Sequence, residues 1–371
     1  MNKKISLNET LIKIKKNSGI SNDINILNEI DWDLDFKDVQ KTCPSPESVV
    51  EYLNSVRANA FKDYGERDTF KKTNPFIHAK STLFGKNDTT VDIDHFIKQI
   101  TMKPNTIINT NSKMLKSGLP NEFFYKTGIP AFRGIAYDIE NDKFIYINTC
   151  PGAGTCVAIC YALKGRYIQY PNSYDLMTKR LNYLLNFPKE YELQMYEELK
   201  KKCVEHNAYK GNKNVVIIRW NDSGDFFAKK YLEIVQNVMK KLKLGGFNII
   251  DDAYTKIADV AKNSEIGSVS FSSGANKKEA DQIDKDIQKI SEVVPKELFQ
   301  DLNLQKINDI KELKNRIARK YQFHIKNVIT YDELLSTKKG NKAKWHVIVT
   351  PDDGDDAAAR NDVKTVLLTI H

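Results

Sequence analysis

Three stretches in the second half of the chain repeat one pattern. From Val215, VVIIRWNDSGDFFAKKYLEIV runs from an apolar segment through a polar turn into a helical pattern. From Phe247, FNIIDDAYTKIADVAKN repeats it, and from Ile266, IGSVSFSSGANKKEADQIDKDIQKI repeats it again. Strands that alternate with helices, each strand ending in a polar turn, build a parallel α/β sheet. Continuous runs such as VVIIRW and HVIVT fit strands covered on both faces. With KWHVIVT and VKTVLLTIH added, five or six such strands are expected, in a partial (β/α) barrel or an open doubly wound sheet. In either architecture, ligand chemistry belongs at the C-terminal ends of the strands.

The polar motifs fall at those ends. Asp222, Ser223, Gly224 and Asp225 follow Val215–Trp220; Tyr254, Thr255 and Lys256 follow the next strand; Ser270, Ser272, Ser273 and Gly274 follow the third. Asp352, Asp353, Asp355 and Asp356 follow HVIVT. Upstream, FRGIAYDIENDKFIYINTC reads as a hairpin, 134–138 and 143–148 parted by ENDK. A long helical pattern runs from about Asp175 to Glu205.

After the hairpin comes NTCPGAGTCVAICYA, which holds three of the five cysteines, Cys150, Cys156 and Cys160. Cys156 and Cys160 are four apart, so a helical turn puts both sulfurs on one face. Gly152 and Gly154 let the backbone wrap closely. Three thiolates from one loop suit a [4Fe–4S] cluster with one iron left open. Zinc is the less favoured occupant, because the loop offers no fourth donor and His346 or His371 would have to complete the site. Three inert buried thiols are the bland alternative. Cys43 and Cys203 stand apart and read as incidental.

A three-cysteine loop with an open iron resembles the radical S-adenosylmethionine (SAM) enzymes, although their usual spacing is C-x3-C-x2-C. That resemblance implies a cluster that binds SAM, and a Gly-Gly-Glu-like loop on the next strand that meets the SAM amino group. Ser223, Gly224 and Asp225 occupy the matching place. Ser272 and Lys256 are expected on the ligand's far side, Ser270, Ser272 and Ser273 as hydroxyl contacts to its ribose or carboxylate, and Lys256 and Arg219 as cations for an anionic group. Each has a plainer alternative: a helix cap for Asp225, a buried ion pair for Arg219, a solvated lysine, and a capped turn for the serines.

More closely, NSKMLKSGLP, TCPGAGTCVAICYA, RWNDSGDFF, AYTK and SFSSG, in that order, resemble the gene product 88 family of phage and plasmid proteins. The resemblance covers roughly residues 110–275 and implies a mobile-element origin.

The net charge of +9 leaves room for a nucleic-acid partner without establishing one. No apolar run spans a bilayer and the start lacks an apolar signal core, so the cytoplasm, with its reduced thiols, is expected. Residues 1–105 read as a partly helical elaboration, with Ser45 or Ser48 capping SPESVVEYLNSVRANAFKDYG and turns at KKTNPF and GKNDTT; residues 106–371 read as the α/β domain. PDDGDDAAAR lacks the Glu that completes an EF-hand and reads as an exposed acidic turn. Tyr167, Tyr170 and Tyr174 with Lys164 and Arg166 suit packing more than stacking on nucleic acid. The leading expectation is an iron–sulfur enzyme, radical-SAM-like, acting on nucleic acid or a nucleotide. The alternative is a nucleic-acid-binding or replication-associated protein with a structural metal. A nuclease built on the aspartates ranks last.

Overall fold

The repeated units assemble into one eight-stranded sheet. The computed structural model describes residues 41–42, 44–54, 91–116, 119–160, 162, 171–304, 306–350, 352–354 and 356–369. The expected turns at KKTNPF and GKNDTT, together with Cys43, Tyr161, Lys164, Arg166, Tyr167, Tyr170, Asp355 and His371, lie outside these residues. The strands are β1 (Lys41–Thr42), β2 (Glu122–Lys126), β3 (Arg133–Asp138), β4 (Lys143–Asn148), β5 (Val215–Trp220), β6 (Ile249–Thr255), β7 (Ser268–Ser272), β8 (Lys289–Val294), β9 (Val328–Thr330), β10 (Trp345–Val349) and β11 (Val363–Thr369).

The large sheet has the order β2-β5-β6-β7-β8-β11-β10-β9, and its pairings are parallel. It starts as a partial barrel would, with β5 to β8 laid down in chain order. It then jumps to β9 at the far edge and returns through β10 to β11. Among the described strands β2 and β9 do not pair, so the sheet is open rather than a closed barrel. The hairpin is present, but in a separate antiparallel sheet, β1-β4-β3. The cysteine segment therefore follows β4 of this smaller sheet and reaches the parallel sheet from there.

The expected helix over 175–205 is two helices, Pro171–Asn186 and Pro188–Glu205. Pro188 has no amide hydrogen and opens the second helix at its first turn, where that hydrogen would be unpaired anyway. The first packs with the helix Ile93–Ile100 on β3 of the small sheet, the second with the helix Lys229–Leu244 on β5 and β6 of the large one, and one core joins them, burying Leu181, Leu184, Met195, Leu199, Val235, Val238 and Trp220. Val49 and Leu53, from a helix over 46–54 whose first turn is capped by the Ser45 hydroxyl, join this same core. No helix among the described residues is long and apolar enough to cross a membrane.

On the opposite face, strand register lines up Arg219, Asp252 and Ser268, and then Ser270 and Lys289. The turn Ala357–Ala359 covers that face, packed with Val347, Val349 and Val366. PDDGDDAAAR is thus not an exposed acidic turn. Asp356 is buried and accepts the Tyr331 hydroxyl, and Lys289 ties the turn down by donating to the carbonyls of Ala358 and Arg360 at 2.7 and 2.8 Å.

Candidate functional site

The cysteine segment is laced onto the C-terminal ends of β5, β6 and β7. Ala153 forms an antiparallel bridge with Ala275 just beyond β7, and the amides of Gly154 and Cys156 both donate to the Gly274 carbonyl, at 3.0 and 3.2 Å. Asn276 donates back to Gly152 at 2.9 Å. Gly152 is required by close approach: a Cβ there would lie 2.2 Å from the Lys256 carbonyl oxygen, just past β6. On the β5 side, Asp225 donates its amide to Thr149 at 2.8 Å. Four of the motifs, TCPGAGTCVAICYA, RWNDSGDFF, AYTK and SFSSG, far apart in the sequence, thus meet on one rim, while NSKMLKSGLP lies ahead of β2.

Asp225 is the stitch at the centre. Its Oδ1 accepts from the Phe226 amide and the Thr255 hydroxyl, and its Oδ2 from the Lys256 amide, all at 2.8 Å. Burial still raises its pKa against those bonds. The carboxylate is not a helix cap, since Ala228 precedes the helix Lys229–Leu244. It joins the β5 turn to the end of β6, a cross-link rather than an open acceptor. Gly224 sits at φ +79°, where a Cβ would strike Ile129 at 2.4 Å.

Arg219 takes the plainer of its two expected roles, with a partner the sequence did not suggest. It is buried against Asp252 of β6 and lies 4.9 Å over the Tyr254 ring. Asp222 is ion-paired with Lys126. Lys256 is different: it is half-buried, and its ammonium makes no hydrogen bond or ion pair among the described residues. The hydroxyls of Ser223 and Ser270 are buried without a partner among the described residues, and Ser272 is half-buried.

Cys150 faces this group. The residue keeps some surface while its sulfur is enclosed, and burial, aided by the nearby Asp225 carboxylate, pushes its thiol pKa to about 12. Lys256 and the Phe132 amide, which donates to the sulfur at 3.3 Å, pull the other way. Cys156 and Cys160 sit at either end of the short turn Thr155–Ile159. No group of three or more His, Cys, Asp or Glu side chains among the described residues is arranged to hold a metal ion. The loop and its glycines suit a cluster, and Cys160 lies near enough to Cys150 to act on its charge, but as placed here the three thiols do not form a metal-binding group. His346 is no fourth ligand, because it stacks on Phe323 near the start of β10, three strands from β7.

A family model described as gene product 88 matches residues 105–319, more than half of the chain and the whole of this rim. The chain belongs to the gene product 88 family. No curated protein and no solved structure matches it. Within the matched span, the sequence drew no attention to Phe132 or Asn276. Phe132 has a φ of 63°, rare for a bulky residue, and contacts Cys150; Asn276 anchors the loop through Gly152 and Pro151. Neither residue lies in a motif that announces such a contact.

Proposed function

We propose that this gene product 88 protein is a phage-type enzyme whose reaction takes place on the rim beneath the cysteine loop, on a small anionic, nucleotide-like ligand or a nucleic-acid end. The observation that carries this reading is Lys256. Its half-buried ammonium makes no hydrogen bond or ion pair among the described residues, and its nearby counter-charge, the Asp225 carboxylate, is already committed to three donors, which leaves the ammonium able to meet a ligand anion. It acts on the Cys150 thiol, and the hydroxyls of Ser223 in the β5 turn and Ser270 on β7 are buried without a partner among the described residues. Strand ends of a parallel sheet are where such ligands bind.

Radical-SAM-like iron–sulfur chemistry is the proposal for what the cysteines add. Cys150, Cys156 and Cys160 would hold the cluster, with SAM against Gly224, Ser223, Ser270 and Ser272. It requires the Thr155–Ile159 turn to rearrange and Cys150 to give up its proton, and the spacing of the cysteines supports it more than their geometry does.

Anaerobic purification and reconstitution, followed by iron, zinc and sulfide analysis and SAM titration, tests the two layers separately. Retained iron and sulfide, SAM binding, and loss of both in a triple Cys→Ser variant support the cluster. Bound zinc with no response to SAM overturns it and favours the nucleic-acid-binding alternative. If Lys256→Met leaves binding of nucleotides and oligonucleotides unchanged, the rim reading falls as well.

A further inference from the structure

A second polar cluster lies behind the β5 turn, on the helix-covered face and apart from Lys256. Its centre is Arg180, in the middle of the helix Pro171–Asn186 and 2% exposed. Its Nε donates to the Thr106 carbonyl at 3.2 Å, its Nη2 has no partner, and the guanidinium forms no ion pair among the described residues.

Two carboxylates lie close enough to act on it, and both are committed. Glu198 accepts from the amides of Ile107 and Ile108, the Thr106 hydroxyl and the Gln194 amide. Asp222 is paired with Lys126. Burial lowers the Arg180 pKa to about 10, which still leaves the group charged. A buried cation without its own counter-charge is expensive.

Two further groups point the same way. The Asn221 Oδ1 accepts from the Tyr231 hydroxyl at 2.8 Å, which leaves Nδ2 as a buried donor with no acceptor among the described residues. Asn221 is held at φ +55°, in the left-handed region. The Thr127 hydroxyl is also buried, lies beside the Tyr191 hydroxyl, and makes no hydrogen bond of good geometry among the described residues; its backbone pairs with Arg219 and Asp222 on either side of Asn221. The three groups are linked through two phenols. Tyr231 neighbours both Arg180 and Asn221, and Tyr191 neighbours both Arg180 and Thr127.

We propose that Arg180, Asn221 and Thr127 form an internal site for a small oxyanion, a phosphate or carboxylate group, held behind the turn that carries Asp225. Arg180 supplies the charge, and Asn221 and Thr127 the directed hydrogen bonds. Asp222, next to Asn221, keeps 12% of its side chain exposed, which makes it the side from which an anion would enter. An anion seated there locks the turn against the helix Pro171–Asn186, so its occupancy sets the rigidity of the rim on the other side. The site stands independently of the chemistry proposed for the cysteines.

The test is thermal unfolding of the full chain in a zwitterionic buffer. Phosphate, sulfate and acetate are added separately, with chloride at matched ionic strength as the control. Wild type is expected to gain several degrees in Tm from phosphate or acetate, the better of the two identifying the anion's class. Arg180→Met is expected to lose that gain and, without oxyanion, to unfold at or above the wild-type temperature, since an uncompensated buried charge has been replaced by an apolar chain. Asn221→Gly keeps the left-handed backbone while removing the amide; it is expected to shrink the gain at least threefold, and it decides the matter if Arg180→Met does not fold. Oxyanions that act no more strongly than chloride, or that shift wild type and variants alike, overturn the proposal.

Discussion

Arg219 on β5 and Asp252 on β6 face each other in register, Nε 2.9 Å from Oδ2, with side chains 1% and 0% exposed. A pair this deep fixes the sheet's polar interior, and Lys289, two strands away, adds a second cation to the same field. Breaking such a pair from one side strands a charge. Arg219→Met alone is expected to cost about 3–5 kcal/mol, and Arg219→Met with Asp252→Leu much less than the sum of the two single changes. Urea unfolding of the two singles and the double checks this. Additive losses would show that the two side chains do not depend on each other.

Phe132 holds φ 63° and is 39% exposed, so little packing rewards its conformation. A residue with a Cβ in that region costs about 1 kcal/mol relative to glycine. Phe132→Gly is therefore expected to be more stable than Phe132→Ala by about that amount and no less stable than wild type. If alanine proves the better replacement, the backbone there is not strained.

His346 stacks on Phe323 with ring centroids 3.6 Å apart, and its Nδ1 lies 2.9 Å from the Thr365 hydroxyl. Burial, helped by Lys364, lowers its pKa to about 4. The unfolded chain takes up this proton near pH 6.5, the folded protein only near 4. The neutral ring's contribution is therefore complete above pH 6.5 and is lost as the pH falls toward 4. Melting temperatures from pH 7.5 to 4.5 should drop more steeply in wild type than in His346→Phe. Parallel curves would remove His346 from the account.

The sheet and its rim were legible because apolar runs followed by polar turns carry a period that packing respects. The edge strands β2 and β9 were not, and neither was β8, since KISEVV places Lys289, Ser291 and Glu292 in a strand and the segment reads as the tail of a helix. Only tertiary contacts explain Lys289, whose ammonium is absorbed by the Ser268 hydroxyl and two carbonyls of the covering turn. The cysteine spacing correctly drew attention to the loop, but spacing says nothing of the direction in which sulfurs point. Arg219 shows the same limit: its cost was visible in VVIIRW, while its partner, 33 residues on, was not.

The setting of Cys150 makes the sharpest forecast about the rim. With its thiol near 12, almost none is thiolate at pH 8, so iodoacetamide should label Cys150 far more slowly than it does in the unfolded chain. The neighbours act with opposite signs. Asp225 raises this pKa and Lys256 lowers it, so Asp225→Asn should speed labelling and Lys256→Met should slow it further, by about tenfold for each full unit moved. Peptide mass spectrometry separates Cys150 from Cys156, Cys160 and Cys203. A Cys150 that reacts in the native protein as fast as in the denatured one would be a ready thiolate. The three sulfurs would then be prepared for a metal after all, and the cysteine loop's resting geometry would have to differ from the one described.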